Sequence, residues 1–333
     1  MFEDGTVIMV TQTSPFVVAD IGGTNARFGL VTGKTDGRFD IAYQERFPSG
    51  DFADMQALVA HYLALVADHA PKHVCLAVAG PVGGDEVHLT NLDWRFSINE
   101  LRQALGLVQL EVINDFVAYA NSIPLLPPQA LVQVRDGKPV ETAPIAVLGP
   151  GTGLGVASLV PNGKGGWSAI GCEGGHIALG AATEQQRQVL SALAEDLDFV
   201  SAERALSGSG LPNLYRAVAK VKGDVPKALT SADISEMALD GDPTCFETLS
   251  LFCEWLGGVA SDIALAQGAR GGLYLGGGIL PRFLEFFLKS RFVDGFTQKG
   301  VMTGYLSDVP VYLAIETHSA LTGAAAWLES HKI

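Results

Sequence analysis

Short apolar runs and amphipathic segments alternate along most of this chain. The clearest apolar run is 73–79, which is typical of a strand buried on both faces of a sheet. At 51–69 the apolar residues recur at helical spacing, which predicts an amphipathic helix. A longer helix is predicted to begin at Asp242-Pro243, because aspartate suits an N-cap and proline the first helical position. This alternation of strands and helices predicts an α/β fold.

The same patterns predict the other elements. The predicted strands are a hairpin over 16–30, then 38–46, 86–89, 107–113, 144–148, 156–160, 309–315 and a strand within 272–279. The predicted helices are 98–105, 116–123, 184–195, 201–206, 211–221, 232–238 and 320–329. The segment 171–176 is predicted to be a loop.

The first hairpin carries the earliest chemical signal. Its first strand reaches Asp20, and the chain then turns on Gly22 and Gly23 and leaves through Thr24. One interpretation is a tight turn and nothing more, since glycine supplies the backbone freedom that a turn needs. The other is an anion site, because consecutive bare N–H groups followed by a hydroxyl suit a phosphate. In that case Asp20 would hold magnesium, directly or through water, since a carboxylate would repel the phosphate.

Two further glycine turns narrow the choice between nucleotide folds. The turn at 149–155 again joins two strands and carries a threonine, so the chain has two related α/β halves that we expect to face a cleft. The third turn is at 276–278. The dinucleotide pattern fails at both later turns, because a pattern that starts at Gly149 or at Gly276 would need its third glycine at Leu154 or Pro281. The P-loop pattern fails at Lys34, because it needs a glycine at Phe28.

Charge and size exclude some classes of protein. The chain has 333 residues, a net charge of −14, 48% hydrophobic residues and a mean hydropathy of +0.26. Nucleic-acid binding depends on clustered lysine and arginine, so the negative charge argues against such a partner. The length suits two domains with large cores.

The compartment is predicted from the cysteines and the hydropathy. The four cysteines show no paired spacing, which is typical of free thiols in a reducing compartment. The N-terminus lacks the basic and apolar regions of a signal peptide, and no apolar run approaches the roughly 20 residues that span a bilayer. The sequence therefore predicts a soluble, cytoplasmic protein without a membrane partner.

Six motifs together resemble the bacterial glucokinase family, which belongs to the sugar kinase, Hsp70 and actin superfamily. In order they are 20–27 (Asp-Ile-Gly-Gly-Thr-Asn-Ala-Arg), 113–116 (Ile-Asn-Asp-Phe), 149–155 (Gly-Pro-Gly-Thr-Gly-Leu-Gly), 173–176 (Glu-Gly-Gly-His), 201–204 (Ser-Ala-Glu-Arg) and 275–283 (Leu-Gly-Gly-Gly-Ile-Leu-Pro-Arg-Phe). The resemblance runs from about Phe16 to the C-terminus, so residues 1–14 are an extension. The zinc-binding cysteine cluster of the repressor-type (ROK) branch is absent, which indicates the non-ROK branch.

The resemblance implies a fold of two actin-like (ribonuclease H-like) α/β domains flanking an interdomain cleft. The small domain would comprise 1–113 plus 317–333, and the large domain 114–316. It also implies a cytoplasmic homodimer that converts glucose and ATP to glucose 6-phosphate and ADP with Mg²⁺, at the entry to glycolysis. The nucleotide-binding residues would be Ala19, Asp20, Ile21, Gly22, Gly23, Thr24, Gly151, Thr152, Gly153, Gly276, Gly277 and Gly278.

Asp115 is the candidate general base. It follows a strand and precedes a helix, which places it at the carboxyl edge of a sheet, a common location for site residues. A carboxylate there can accept the proton of an attacking sugar hydroxyl, and the resemblance implies this role. Taken alone, the residue could equally be the N-cap of the next helix.

A set of polar residues is assigned to the sugar. Asn114, Glu173, His176 and Glu203 offer the donors and acceptors that select a polyol, and they match the family's glucose-binding residues. Taken singly, each has a simpler interpretation, such as a surface glutamate paired with a neighbour. A zinc site at 173–176 is disfavoured, because structural zinc needs four ligands and only Cys172 is near.

Three alternatives remain open on the sequence. Another hexose or N-acetylhexosamine kinase would use the same scaffold. A sugar-responsive repressor would need a DNA-binding region, for which we find no helix-turn-helix and the wrong charge. A structural ATPase of the actin or Hsp70 kind would not need the Asn-Asp, Glu-Gly-Gly-His and Ser-Ala-Glu residues.

Overall fold

A computed structural model describes residues 10–11, 14–89, 91–316 and 319–332. In this part of the chain the strands are β1 Val10–Thr11, β2 Phe16–Ile21, β3 Asn25–Thr35, β4 Arg38–Pro48, β5 His73–Val78, β6 Glu86–Leu89, β7 Trp94–Ser97, β8 Gln109–Asn114, β9 Leu131–Arg135, β10 Ile145–Pro150, β11 Leu154–Pro161, β12 Trp167–Cys172, β13 Gly272–Leu275 and β14 Val311–Ala314. Of the predicted extension 1–14, most lies outside the described residues, although β1 pairs with β3.

The helices alternate with these strands, as the sequence predicts. They are α1 Met55–Leu65, α2 Ile98–Ala104, α3 Asp115–Ser122, α4 Glu184–Ala194, α5 Gly210–Lys222, α6 Ser231–Leu239, α7 Pro243–Gln267, α8 Leu284–Lys289, α9 Phe292–Thr297, α10 Thr303–Ser307 and α11 Ser319–Ser330. The predicted N-cap Asp242 is confirmed, since its side chain accepts from Thr244 N, and Ser97 caps α2 by accepting from Glu100 N. The predicted helix at 51–69 is shorter, because Asp54 caps it at Met55.

The chain divides into two compact units. The first comprises Met1–Pro127 with Glu316–Ile333, and the second comprises Pro128–Ile315. The division from the resemblance placed the boundary after residue 113. In the structure α3 packs against α11, so the helix that begins at Asp115 belongs to the first unit.

The sheet of the first unit combines antiparallel and parallel pairing. Its order is β1-β3-β2-β5-β8, with β4 also paired to β3. The glycine hairpin of β2 and β3 is antiparallel, whereas β2, β5 and β8 run parallel. A core that includes α1 covers one face of this sheet, and α11 packs on β2 and β5. The carboxyl ends of β2 and β8 therefore lie at the same edge.

The sheet of the second unit repeats this arrangement. Its order is β12-β11-β10-β13-β14-β9, in which β12, β11 and β10 are antiparallel and β10, β13 and β14 are parallel. Each sheet thus contains a glycine hairpin whose first strand is followed in the sheet by two parallel strands. The prediction of two related α/β halves is confirmed.

Several elements differ from the sequence prediction. Strands β7, β9 and β12 were not predicted, and β9 and β12 lie at the two ends of their sheet. The predicted helix at 201–206 is wrong. Ser201 forms an isolated bridge with Ala178, and Glu203 N donates to Gly175 O (2.9 Å). Ala202 N also donates to Ile177 O (2.9 Å), so the start of the segment is tied to 175–178 and the rest forms turns.

Helix α7 forms the centre of the second core. By length and composition it could cross a membrane, whereas the sequence was predicted to contain no apolar run long enough to do so. Most of it is buried in the second unit, where Leu249, Phe252 and Leu256 are fully buried among other helices and the sheet. Such burial is typical of the core helix of a globular domain.

Candidate active site

The first glycine turn is closed by hydrogen bonds that use its carbonyl groups. Gly22 N donates to Asn25 O (2.9 Å), and the buried Ser49 binds from the other side. The Ser49 hydroxyl donates to Gly22 O (2.9 Å), and its N–H donates to Thr24 O (3.0 Å). The turn is therefore held through its oxygens.

The N–H groups at the tip of this turn are differently placed. Within the described residues, the N–H groups of Gly23 and Thr24 have no hydrogen-bond partner. Thr24 is also exposed, so its hydroxyl can reach a ligand. Two neighbouring N–H groups without internal partners form a concavity suited to an anion. The geometry thus favours the anion site over a turn alone.

Asp20 lies at the end of β2, directly across the hairpin from Arg27. Arg27 Nη1 is 3.8 Å from Asp20 Oδ2, and about a quarter of the Asp20 side chain is exposed. The arginine orients this carboxylate beside the turn. A partly exposed pair of this kind contributes little stability, so the arrangement is better explained by what the carboxylate can bind.

Asn114 and Asp115 divide two tasks at the end of β8. Asn114 is the N-cap of α3, because its Oδ1 accepts from Phe116 N (2.9 Å) and Val117 N (3.2 Å). The alternative in which Asp115 is the cap is therefore wrong, since Asp115 is the first residue of the helix. Its carboxylate is half-buried and lies at the positive end of the helix dipole.

The loop after β5 links the other two strand ends. Asn114 Nδ2 donates to Gly80 O (3.0 Å), and Ala79 N donates to Ile21 O (3.1 Å). Since β2, β5 and β8 are parallel, these bonds tie together the edge that carries both Asp20 and Asp115. Carboxyl edges of parallel strands are where ligands bind in α/β sheets.

The second glycine turn joins β10 to β11 and, like the first, is held by backbone hydrogen bonds that leave N–H groups at its tip without a partner within the described residues. Gly151 N donates to Gly153 O (2.8 Å), and Gly151 O accepts from Gly208 N (2.8 Å). The Thr152 and Gly153 N–H groups have no internal hydrogen-bond partner within the described residues. Thr152 is exposed, so this turn also presents free donors and a hydroxyl.

Glu203 connects this turn to the predicted sugar residues. Its Oε2 accepts from Leu154 N (2.7 Å), and its Oε1 lies 3.9 Å from His176 Nδ1. The other ring nitrogen, His176 Nε2, lies 3.8 Å from Glu173 Oε2. The structure thus brings all three of these predicted residues together. His176 and Glu203 also line a depression of about 540 Å³ with Ser209.

The close packing of Gly175 positions this cluster. A Cβ at Gly175 would lie 2.0 Å from Leu154 O, so only glycine lets the loop pack on β11. This contact places Glu173 and His176 at the two ends of one short turn, on the side of the second glycine turn. The two glycines of the 173–176 motif are therefore explained by packing.

The third glycine turn follows β13, and its glycines at 277 and 278 have different surroundings. A Cβ at Gly277 would lie 2.3 Å from Pro150 O, and Gly277 has a φ of +83°. Here glycine is required by the neighbouring hairpin, whereas around Gly278 the space is open. A 3-10 helix, Leu280–Phe283, precedes α8.

Ligands for a metal ion are sparse in the protein itself. Within the described residues, no group of three or more His, Cys, Asp or Glu side chains could hold a metal ion. This fits magnesium, which is commonly held by one or two carboxylates together with water and substrate phosphates. Asp20, beside a turn with free N–H donors, suits that arrangement.

Sequence reasoning missed the residues that support the two hairpin turns. Ser49 and Gly208 bond the backbone of the first and second turn respectively, from positions far away in the sequence. The Ser-Gly-Ser-Gly run at 207–210 was the available signal for the second. For Ser49, the sequence carries no comparable signal.

Comparisons with known proteins identify the family to which this chain belongs. The sequence profile named Glucokinase matches residues 17–331. The chain belongs to the glucokinase family. A glucokinase of Saccharophagus degradans is 43% identical over 316 residues, covering 95% of this chain and 98% of the relative. The chain is thus related to enzymes of the phosphotransferase class over nearly its whole length.

Solved structures support the family fold. The crystal structure of a glucokinase from an Antarctic psychrotroph has a TM-score of 0.88 and 46% identity, covering 96% of this chain and all of that one. A ROK-family glucokinase from Streptomyces griseus, in complex with glucose and AMPPNP, has a TM-score of 0.59 and 19% identity, covering 95% and 99%. The second likeness shows the fold alone. The predicted fold class of two α/β domains is confirmed.

Proposed function

We propose that this chain transfers the γ-phosphoryl group of ATP to the 6-hydroxyl of glucose, giving glucose 6-phosphate and ADP. Membership of the glucokinase family supports the reaction. The observation that carries the mechanism is the division between Asn114, which caps α3, and Asp115, whose carboxylate is not needed for that cap. AMPPNP, an analogue of ATP, in a related fold supports ATP as the donor.

Asp115 is proposed as the general base. As the 6-hydroxyl oxygen attacks the γ-phosphorus, its proton passes to the Asp115 carboxylate and ADP leaves with the broken bond's electrons. Phosphoryl transfer depends mainly on positioning, and Asn114 supplies it by holding the first turn of α3. The Asp115 side chain is half-buried, so the carboxylate oxygen that would accept the proton lies beside other protein groups.

The sugar is proposed to bind Asn114, Glu173, His176 and Glu203 as well as Asp115. Asn114 donates one N–H to Gly80 O, which leaves its second N–H for a hydroxyl. The His176 ring between two carboxylates provides neighbouring donors and acceptors. A polyol that lacks or inverts one hydroxyl would leave such groups unpaired, which is the physical origin of selectivity.

The ATP phosphates are proposed to bind the two hairpin turns. The first comprises Ala19, Asp20, Ile21, Gly22, Gly23 and Thr24, and the second Gly151, Thr152 and Gly153. Free N–H groups at the tips of both turns support this assignment. Gly276, Gly277 and Gly278 are proposed to pass beneath the adenosine. The open space at Gly278 supports close approach there.

Magnesium is proposed to bind at Asp20, through water or directly, together with the ATP phosphates. The ion would neutralise phosphate charge, which the few nearby cationic side chains do not do alone. Arg27 holds the Asp20 carboxylate from 3.8 Å. The protein would then contribute the Asp20 carboxylate and the first glycine turn to this site.

The experiment that tests the function is glucose-dependent release of ADP. We expect the purified protein to form ADP from MgATP when glucose is present and very little when glucose is withheld. Comparing kcat/KM for glucose, mannose, fructose and N-acetylglucosamine would separate a glucokinase from another hexose kinase. ADP formation that is independent of any sugar would instead indicate an ATPase.

We also propose that the protein acts in the cytoplasm and forms a homodimer. All four cysteines are free, and Cys75, Cys245 and Cys253 are buried, which suits a reducing compartment. The family resemblance is the support for the dimer. Light scattering coupled to size-exclusion chromatography should give a mass of twice 35.0 kDa, and a mass of one chain would contradict it.

A further inference from the structure

The loop between β6 and β7 lies against the first glycine turn. The position that a Cβ at Gly23 would occupy is 2.8 Å from Asn91 Cβ and 3.4 Å from Asn91 Nδ2. The glycine is therefore needed at this point because Asn91 occupies the space beside it. An amide side chain thus stands next to the turn whose N–H groups are free.

The hairpin that carries Asn91 is anchored on both sides of the loop. Leu89 and Trp94 are buried in the core of the first unit. Leu92 N donates to Leu89 O (3.1 Å), and Asp93 adopts a left-handed conformation with φ +52°. These contacts fix the residues on both sides of Asn91, which places its side chain beside Gly23.

A second anchor ties the end of this hairpin to helix α2. Asp85 accepts from the Ser97 hydroxyl (2.5 Å) and from Asn99 N (2.9 Å). Hydrogen bonds from Ser97 and then Asn99 lower the pKa of the Asp85 carboxyl. This network holds the open end of the β6–β7 hairpin against the first turn of α2.

The Asn91 amide is available for a ligand. It is exposed and has no hydrogen bond within the described residues. We propose that Asn91 binds the transferred phosphoryl group, donating from Nδ2 to an oxygen that the Gly23 N–H also contacts. This inference rests on the proposed function, because it takes ATP as the ligand of the turn. An amide is suited to this, since it donates without adding charge.

Two substitutions of Asn91 test whether its amide donates to phosphate oxygens: Asn91→Ala removes the amide, and Asn91→Asp replaces it with a carboxylate. Asn91→Asp keeps the size of the side chain but places a negative charge against phosphate oxygens. We expect kcat/KM for ATP to fall about 10-fold in Asn91→Ala and at least about 100-fold in Asn91→Asp. The KM for glucose should change less than twofold in Asn91→Ala. Glu86→Gln, an exposed change on the same hairpin, is the control.

Each outcome decides the matter. Equal losses in Asn91→Ala and Asn91→Asp, or wild-type rates in both, would overturn the inference. A rise in KM for glucose alone would reassign Asn91 to the sugar and overturn it as well. A thermal unfolding curve matched to wild type excludes loss of fold. The wild-type glucose-dependent ADP assay tests the proposed function separately, so the two failures are distinguishable.

Discussion

Adjacent residues at the start of α3 have separate physical roles. The side chain of Asn114 uses its oxygen for the helix N-terminus and one N–H for Gly80. Asp115 therefore contributes its carboxylate without being needed for the helix to begin. Such a division lets a reactive group be replaced with little effect on the fold, which makes it testable by substitution.

Asp115→Asn should lower kcat by at least about 100-fold, the low end for loss of a general base. Unfolding should be unchanged, because Asn114 still caps α3. Initial rates at saturating glucose and ATP give kcat, and thermal unfolding provides the control. A near-wild-type rate in a folded variant would remove Asp115 from the mechanism.

A second prediction concerns Glu203, which contacts the second glycine turn. A Cβ at Gly153 would lie 2.4 Å from Glu203 Oε2, so alanine there must displace that carboxylate. We expect Gly153→Ala to raise the KM for glucose about 10-fold, because Glu203 loses its bond to Leu154 N.

Gly151→Ala is the matched control for that change. It lies in the same turn, but a Cβ there meets nothing within 4 Å. Its KM for glucose should stay within twofold of wild type. If both variants, or neither, raise this KM, then Glu203 does not respond to the turn as proposed.

At the scale of elements, the turn after β13 combines a packing requirement with a proposed ligand contact. Gly277 packs on the backbone of the second glycine turn, and Gly276 N donates to Leu148 O (2.9 Å). Gly278, one residue later, faces open space. The neighbouring glycines therefore serve different purposes, even though the sequence motif treats them alike.

Substituting alanine at each position should separate these purposes. Gly277→Ala should lower the free energy of unfolding by at least about 1–2 kcal/mol, because its φ is +83° and its Cβ would clash with Pro150 O. Gly278→Ala should change it by less than about 0.5 kcal/mol. Urea unfolding measures both values. A higher KM for ATP in Gly278→Ala alone would support the adenosine assignment, whereas equal stability losses would contradict the difference in packing.

At the scale of the whole molecule, each unit has its own core and its own sheet, and the strand path β3-β2-β5-β8 of the first sheet matches β11-β10-β13-β14 of the second. The glycine hairpin occupies the same place in each sheet, followed by two parallel strands. Because the local signal and the topology repeat together, the two hairpins are equivalent elements of one architecture. Their shared N–H geometry follows from that repetition.

Ligands should stabilise the whole protein if the proposed assignments are correct. Glucose at about 100 times its dissociation constant should stabilise the folded state by about 2.7 kcal/mol, and MgATP should act likewise. Differential scanning fluorimetry with each ligand measures the shift in Tm. Galactose is the control, since an inverted hydroxyl should leave a polar group unpaired. An equal shift with galactose would argue against a selective sugar site.

The sequence by itself determined the alternation of elements and the two hairpins, and it supplied the residues that are proposed for the site. Glycine turns, apolar runs and caps such as Asp242 are local signals, since each depends on a few neighbouring residues. The order of six motifs then identified the family, because agreement at that many positions is specific. These features needed no knowledge of distant contacts.

Only the tertiary structure decided what depends on residues far apart in the chain. The segment 201–206 forms turns and no helix, and its start is held by hydrogen bonds to 175–178, which only the folded chain brings near. Glu203 reaches Leu154 N across 49 positions, and Asn91 lies on Gly23 through the packing of a hairpin. Such contacts arise from packing between elements, and a local pattern carries no record of them.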